Sequence, residues 1–94
     1  MKLRWTIPAV QDLKELHAYI ADRNPAAVIR MAHLLRSHAE GLSAHPHKGR
    51  PGRIDGTREL VISGTSFVIA YRLADDFIDI LAIRHGARNW QVEG

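Results

Sequence analysis

The chain has 94 residues, a formal net charge of +3 at pH 7 and no cysteine. This length suits a single domain over residues 1–94, near the lower limit of sizes that fold without covalent cross-links. The lack of cysteine excludes disulfides and thiolate metal sites and fits a cytoplasmic protein, while the basic excess permits a nucleic acid or an acidic protein as partner without selecting either.

The first segment predicts a short strand followed by a helix. Leu3, Trp5 and Ile7 alternate with polar neighbours, which is typical of a strand that is buried on one face. Pro8 then suits the first turn of a helix, because it has no N–H to leave unpaired there. No apolar run resembles a signal peptide or approaches the ~20 residues of a membrane-spanning helix, so we expect no membrane segment.

Two helices are predicted next, at about residues 8–23 and 25–44. The first helix presents one apolar stripe, formed by Leu13, Leu16, His17 and Ile20. Asn24 and Pro25 predict the start of the second helix, with Asn24 as its N-cap. The inner face of the second helix carries Val28, Ala32, Leu35, Ala39 and Leu42. Because almost no linker separates the helices, we expect an antiparallel helical hairpin.

Residues 45–57 predict an irregular basic loop, because the segment HPHKGRPGRIDGT is rich in proline, glycine and basic residues. A β-meander follows over residues 58–85, with turns at Gly64 and Thr65 and at Asp75 and Asp76. Its strands are predicted at residues 58–63, 67–73 and 77–84. The N-terminal strand is free to join this antiparallel sheet. The sequence therefore predicts an α+β domain in which the helical hairpin packs on one face of one sheet.

The middle strand of the meander is apolar on both faces. Phe67, Ile69 and Tyr71 lie on one face, and Val68 and Ala70 lie on the other. Two helices cover only one face of a sheet, and burial of a large apolar side chain stabilises the fold by roughly 1.5–3 kcal/mol. Two explanations stay open. Either a partner covers the second face, or the sheet curls and the loop folds over it.

Basic side chains are concentrated near the strand ends and in the loop. Ten of the 13 basic residues are arginine, whose planar fork binds phosphate or carboxylate in bidentate geometry. The candidates for binding an anionic or acidic partner are Lys48, Arg53, Arg58, Arg72, Arg84, Arg88 and Trp90. A structural interpretation also stays open, because Arg58 and Arg72 can pair with Glu59, Asp76 or Asp79 across the meander.

The histidines carry weaker signals. His85 follows the last predicted strand and is of a type that titrates near neutral pH, although a histidine at a strand end is more often hydrogen-bonded within the fold. His45 and His47 share a flexible loop that offers no third ligand, so no metal site is predicted. We expect no cofactor.

Three segments in this order and spacing resemble the RelE/ParE superfamily, the toxins of type II toxin–antitoxin modules that are often described as plasmid stabilisation proteins. The segments are PGRIDGTREL at 51–60, FVIAYRL at 67–73 and ILAIRHGARNW at 80–90. The resemblance covers essentially the whole chain. It implies a cytoplasmic toxin neutralised by a cognate antitoxin, whose C-terminal segment wraps the groove and sheet of the toxin. Operator DNA is then contacted only through the antitoxin.

The superfamily divides into members that cleave mRNA in the ribosomal A site and members that inhibit DNA gyrase. For a RelE-like enzyme, the resemblance implies that His85 is the acid–base group. Arg58, Arg72 and Arg88 would then clamp the phosphate. Those enzymes typically carry a tyrosine near the C-terminus, which this chain lacks, and the Trp90 indole only donates a hydrogen bond. We therefore expect a non-enzymatic, ParE-like gyrase inhibitor. The alternatives are a ribosome-dependent mRNA endoribonuclease and a non-toxic, antitoxin-binding member.

Overall fold

The computed structural model describes residues 1–85. The elements in chain order are β1 (Lys2–Trp5), α1 (Ile7–Arg23), α2 (Ala27–Ala44), β2 (Arg50–Pro51), β3 (Arg58–Val61), β4 (Phe67–Ala74) and β5 (Phe77–His85). The five strands form one mixed sheet in the order β1-β5-β4-β3-β2. The predicted α+β class, helical hairpin and meander are confirmed. Neither helix in this part of the chain is long and apolar enough to cross a membrane.

The two edges of the sheet are formed by short strands. β1 joins one edge by running parallel to β5, with Leu3 opposite Ile78 and Trp5 opposite Ile80. At the other edge β2 pairs with β3, and Arg50 lies opposite Glu59. The prediction that residues 45–57 are wholly irregular is therefore wrong at β2. Two residues are too few to produce a strand-like pattern in the sequence.

The helix ends differ in how they are capped. Thr6 is the N-cap of α1: its Oγ1 accepts a hydrogen bond from the Ala9 N–H and donates one to the carbonyl of Ile80 at 2.7 Å. The predicted N-cap role of Asn24 is wrong. The Asn24 N–H donates to the Ile20 carbonyl at 2.7 Å, so Asn24 ends α1. α2 begins after Ala26, which makes no side-chain capping bond.

The core lies between the helical hairpin and one face of the sheet. Its buried members include Leu16, Ile20, Leu35 and Leu42 of the helices and Ile69, Tyr71, Ile78 and Ile80 of the sheet. Trp5 packs against this core, as its place in an apolar strand predicts. On the opposite face Val68 and Ala70 are also buried. The second face of the middle strand is thus covered at these two positions, and their burial does not require a partner.

An extra residue in β5 changes which side chains face the helices. Ala70 of β4 lies opposite Ala82, whereas Tyr71 lies opposite Ile80, so Leu81 has no partner in the register. This β-bulge shifts the alternation of β5 by one residue. His85 consequently lies on the helix side of the sheet, opposite Phe67, and Arg84 lies on the other side.

Candidate functional site

The face of the sheet opposite the helices, here called the open face, carries two buried carboxylates. Asp79 of β5 is 6% exposed and Glu59 of β3 is 7% exposed. Carboxylates are rarely buried unless a cation or several hydrogen bonds compensate for the lost water. Both have arginine partners that the sheet register places beside them.

Asp79 lies between two arginines on neighbouring strands. In the register, Arg4 of β1 and Arg72 of β4 lie opposite Asp79 on its two sides. Arg4 makes a bidentate contact, with Nε 2.7 Å from Oδ1 and Nη2 3.3 Å from Oδ2. Arg72 Nη2 lies 3.5 Å from Oδ2. The structural interpretation of Arg72 as a cross-strand ion-pair partner is therefore confirmed.

The environment of Asp79 favours its charged form. Hydrogen bonding from Arg4 is the main cause that lowers the pKa of the Asp79 carboxyl below 3.8, with Arg72 adding to the effect and burial opposing it. The guanidinium of Arg4 also stacks on the ring of Phe77, with its central carbon 3.9 Å from the ring centroid. Arg4 is thus held in place by both a carboxylate and an aromatic ring.

Glu59 is the partner of two arginines in and after β2, at the edge of the sheet. Arg50 Nη2 is 3.4 Å from Glu59 Oε1. Arg53 places its Nε 3.9 Å from Oε2, and its backbone N–H donates to the same oxygen at 3.5 Å. Glu59 therefore ties both the short strand β2 and the following turn to the sheet.

Together these groups form an alternating line across the open face. In strand order from β1 to β2 the groups are Arg4, Asp79, Arg72, Glu59 and Arg50, with a step of two residues between Arg72 and Glu59, because Glu59 lies opposite Ala70. We call the three arginines of this line the arginine row. At a strand spacing of about 4.8 Å, five strands give the row a length of roughly 19 Å. The arginine side chains stay 51%, 52% and 62% exposed, in that order.

Arg58 has a different role, because it points to the loop that precedes β2. Its Nη1 donates to the carbonyl of Gly49 at 2.6 Å and to that of His47 at 3.4 Å. The fully buried Tyr71 hydroxyl donates to the Pro46 carbonyl at 2.7 Å and accepts the Gly49 N–H at 2.9 Å. Arg58 and Tyr71 therefore strap the loop to the end of the sheet.

His85 lies on the helix side, away from the arginine row. Its Nε2 is 2.6 Å from Ser66 Oγ. Its ring contacts Phe67, with centroids 4.7 Å apart, and lies 6.3 Å from the ring of Tyr19 on α1. His85 thus lies between α1 and the turn that joins β3 to β4.

The structure does not bring His85 together with Arg58 and Arg72, the two arginines of the predicted phosphate clamp that lie within the described residues. Arg72 lies on the opposite face of the sheet. Arg58 lies opposite Tyr71, four residues along β4 from Phe67, the partner of His85. At about 3.4 Å per residue the separation along the strand direction alone is roughly 14 Å. Within residues 1–85, no single surface contains all three side chains.

The other predicted binding residues have varied positions. Arg84 lies on the open face opposite Val68, and Lys48 is an exposed residue of the strapped loop. Arg88 and Trp90 lie outside the described residues. In the described part of the chain, His, Asp and Glu side chains form no group of three that could hold a metal ion.

Sequence reasoning missed Arg4 and Arg50, although it named Glu59 and Asp79 as possible partners of Arg58 and Arg72. Each is a polar residue in a strand or loop, and only the register shows that a carboxylate lies between two arginines. The one signal in the sequence was Asp79, an acidic residue in the middle of the apolar segment FIDILAI. Such a residue needs a cationic partner if the strand is central.

A groove of about 400 Å³ opens on the helix side, between β1, α1 and α2. Its apolar lining includes Leu3, Trp5, Val10, Leu13 and Ala39. Arg36 and Glu40, one turn apart on α2, are the charged groups of its lining. We call this cleft the apolar groove. It lies beside the helical hairpin and the sheet, where the resemblance noted in the sequence implies a groove.

Similar proteins are known in bacteria. The putative toxin Y4kP of Sinorhizobium fredii is 37% identical over 89 residues, covering 95% of this chain and 92% of that protein. Toxin RelE2 of Caulobacter vibrioides is 39% identical over 84 residues, covering 89% and 93%.

Solved structures share the fold. A chain of the chromosomal ParDE toxin–antitoxin system from P. aeruginosa superimposes with a TM-score of 0.82 at 25% identity, covering 90% of this chain and 95% of that one. The RelBE2 toxin–antitoxin complex from Mycobacterium tuberculosis gives a TM-score of 0.58 at 23% identity over 89% and 95%, a likeness of fold alone. The fold and these relatives define a class, the RelE/ParE superfamily of type II toxins.

The family within this class follows from a match over most of the sequence. The model of the family described as "ParE toxin of type II toxin-antitoxin system, parDE" matches residues 3–90. The chain therefore belongs to the ParE toxin family, and it is a toxin of a type II toxin–antitoxin system. The resemblance noted in the sequence is confirmed.

Proposed function

We propose that this toxin is a ParE-like inhibitor of DNA gyrase that acts by binding and not by cleaving RNA. The observation that carries the proposal is the separation of His85 from Arg58 and Arg72. RNA cleavage by side chains alone needs a base, an acid and a phosphate clamp around one reacting group. Such a site is not assembled among residues 1–85.

The contacts of the candidate catalytic side chains within residues 1–85 support the same conclusion. His85 is engaged by Ser66 and by two aromatic rings. Arg58 donates to loop carbonyls, and Arg72 donates to Asp79 on the other face. The greater structural likeness to the ParDE chain than to the RelBE2 chain is consistent with this assignment.

The cognate antitoxin is proposed to occupy the apolar groove with an amphipathic helix. The volume of about 400 Å³ has room for several apolar side chains, and the pair formed by Arg36 and Glu40 supplies one charge of each sign. A helix that places an acidic residue near Arg36 and a basic residue near Glu40 fits this lining. The toxin acts in the cytoplasm under this proposal, and operator DNA is contacted by the antitoxin.

A supercoiling assay with purified gyrase tests the proposed target. We expect the toxin to inhibit supercoiling, the antitoxin to relieve the inhibition, and His85→Gln to keep at least half of the wild-type inhibition. Ser63→Ala, a change at an exposed position, serves as the matched control. Unaffected gyrase combined with transcripts cut within codons on translating ribosomes would refute the proposal.

That second outcome would establish the alternative, a ribosome-dependent mRNA endoribonuclease. The name of the Caulobacter relative, Toxin RelE2, is the observation that favours it. In that case His85→Gln should abolish cleavage. Lack of growth inhibition by the intact toxin in a susceptible host would instead identify a non-toxic member that binds antitoxin.

A further inference from the structure

We infer that the open face binds the phosphate backbone of duplex DNA through Arg4, Arg72 and Arg50, with Asp79 and Glu59 as positioning residues. The choice of ligand rests on the proposed function, because a gyrase inhibitor meets the DNA that gyrase holds. The argument for the surface itself comes from burial, charge and geometry.

The two carboxylates are poorly explained by stability alone. Burying an ion pair costs much of what the ion pair contributes, and apolar residues of similar size often stabilise a fold as well or better. Asp79 and Glu59 nevertheless occupy central strands and are 6% and 7% exposed. What they provide that an apolar residue does not is a fixed direction for each neighbouring guanidinium.

The arginines remain able to bind a ligand while they are held. A guanidinium has five N–H donors. Arg72 and Arg50 each direct one nitrogen to a carboxylate. Arg4 directs Nε and one terminal nitrogen to Asp79 and lies against Phe77. All three side chains are about half exposed or more. Their conformations are thus restricted before a ligand arrives, which lowers the entropy cost of binding.

The face as a whole carries excess positive charge. The three arginines of the row outnumber the two carboxylates, and Lys2 and Arg84 lie on the same face. Neighbouring arginines of the row are two strand spacings apart, about 10 Å across the sheet, and Arg50 is also displaced from Arg72 by two residues, about 7 Å, along the strands. This spacing allows each guanidinium to reach a different phosphate of one duplex.

The neighbours of the row favour a nucleic acid over an acidic peptide. On this face Ala70, Ala74 and Ala82 offer little apolar contact, Phe77 is stacked under the Arg4 guanidinium, and the exposed Val61 of β3 lies beside Val68. Protein partners gain most of their affinity from aromatic or aliphatic anchors in pockets, and the apolar groove on the other side of the sheet offers such contacts. A phosphate backbone gains its affinity from arginine contacts and the release of counterions.

Fluorescence anisotropy with a labelled 20-base-pair duplex and the purified toxin tests the inference. We expect the toxin to bind the duplex. The logarithm of the association constant should fall linearly with the logarithm of salt concentration, at a slope of about −0.9 per phosphate contact. Arg72→Gln and Arg50→Gln should each weaken binding about three- to tenfold and reduce that slope by about 1. Arg30→Gln, at an exposed position on α2, is the control for the loss of one positive charge.

Substitution of the two carboxylates gives the sharpest test, because two models predict changes of opposite sign in the affinity for duplex DNA. If only net charge matters, Asp79→Asn and Glu59→Gln tighten binding by removing negative charge from the face. If these residues position the arginines, both substitutions weaken binding about threefold or more, despite the higher net charge. Circular dichroism and thermal unfolding confirm that each variant is folded at the assay temperature. Tighter binding by Asp79→Asn refutes the positioning role.

The two proposals fail in different ways. If the toxin inhibits gyrase but does not bind duplex DNA even at low salt, the inference is refuted and the proposed function stands. Duplex binding with the expected variant pattern, but without inhibition of gyrase, supports the inference and refutes the proposed target. Loss of antitoxin affinity in Arg72→Gln, with unchanged duplex binding, identifies an acidic peptide as the ligand and refutes the inference.

Discussion

The apolar groove and the open face share strand β1, yet they are built from opposite chemistry. Leu3 and Trp5 point from β1 into the groove, whereas Arg4 points to the other side and pairs with Asp79. Burial of apolar area would hold the proposed antitoxin helix in the groove, and such burial depends weakly on salt. Charged groups dominate the open face, so contacts there depend on salt and on the direction of each guanidinium. One small sheet therefore presents two surfaces, and a point mutation can alter one surface without altering the other.

Blocking the apolar groove should have the largest effect of all. Ala32 is an exposed residue of α2 that lines the groove. Ala32→Arg places a long charged side chain where an apolar helix is proposed to lie. We expect antitoxin affinity to fall at least about 100-fold, equivalent to about 2.8 kcal/mol, as measured by isothermal titration calorimetry.

A matched substitution on the other helix controls for the added charge. Ala18 is an exposed residue of α1 that does not line the groove, so Ala18→Arg should leave antitoxin affinity within about twofold. Inhibition of gyrase should be unchanged in both variants, because the open face is intact. Equal loss of antitoxin binding in the two variants would show that the groove is not the docking site.

Removing the loop strap should have an intermediate effect, which combines lower stability with weaker contacts on the open face and leaves the apolar groove intact. Tyr71→Phe leaves the Pro46 carbonyl and the Gly49 N–H without their hydroxyl partner. We expect a loss of about 1–3 kcal/mol in the free energy of unfolding, because buried polar groups are left unsatisfied. Urea denaturation measures this loss.

The control for the strap is Tyr19→Phe, because Tyr19 is partly exposed on α1 and its ring stacks against Arg23. This variant should unfold within about 0.5 kcal/mol of the wild type. Since the strapped loop leads into Arg50, Tyr71→Phe should also weaken contacts on the open face while antitoxin affinity stays unchanged. A stability change of equal size in both variants would argue against a specific role for the strap.

The sequence predicts these two surfaces unequally, and the reason is physical. Helical periodicity identifies the hairpin, and period-2 alternation identifies the meander, so the elements that line the groove follow from local pattern. Pairing between distant strands does not follow from it. The parallel contact of β1 with β5 brings Arg4 to Asp79, and it depends on tertiary packing of the whole domain.

The bulge at Leu81 limits prediction further. Without it, the alternation of β5 would place His85 on the same face as Asp79, where an acid–base group beside the arginines would be expected. The extra residue moves His85 to the helix side and Arg84 to the open face. No residue type in the segment ILAIRH marks a bulge, since every position there also fits a regular strand. The predicted catalytic cluster therefore depended on a register that the local sequence does not encode.

The smallest expected effect is on the pH dependence of the free energy of unfolding, and it arises from Asp79 on the open face. The pKa of Asp79 in the folded protein lies below 3.8, with the Arg4 hydrogen bonds as the largest cause. A carboxyl whose pKa is lowered by folding stabilises the protein above its unfolded-state pKa, and this contribution is lost as the pH falls through the folded-state pKa. At pH 7 we therefore expect Asp79→Asn to unfold more easily than the wild type.

The difference between these two proteins should stay constant from pH 7 to about pH 5 and shrink as the pH falls below 3.8, the ordinary pKa of an aspartate carboxyl. Urea denaturation at several pH values measures it. Ala32→Arg, which alters only the groove, should keep the wild-type pH dependence. A constant difference down to pH 2 would mean that the Asp79 charge does not couple to folding. In that case the arginines of the open face would have to be held by hydrogen-bond geometry alone, which the amide introduced by Asp79→Asn would reproduce in part.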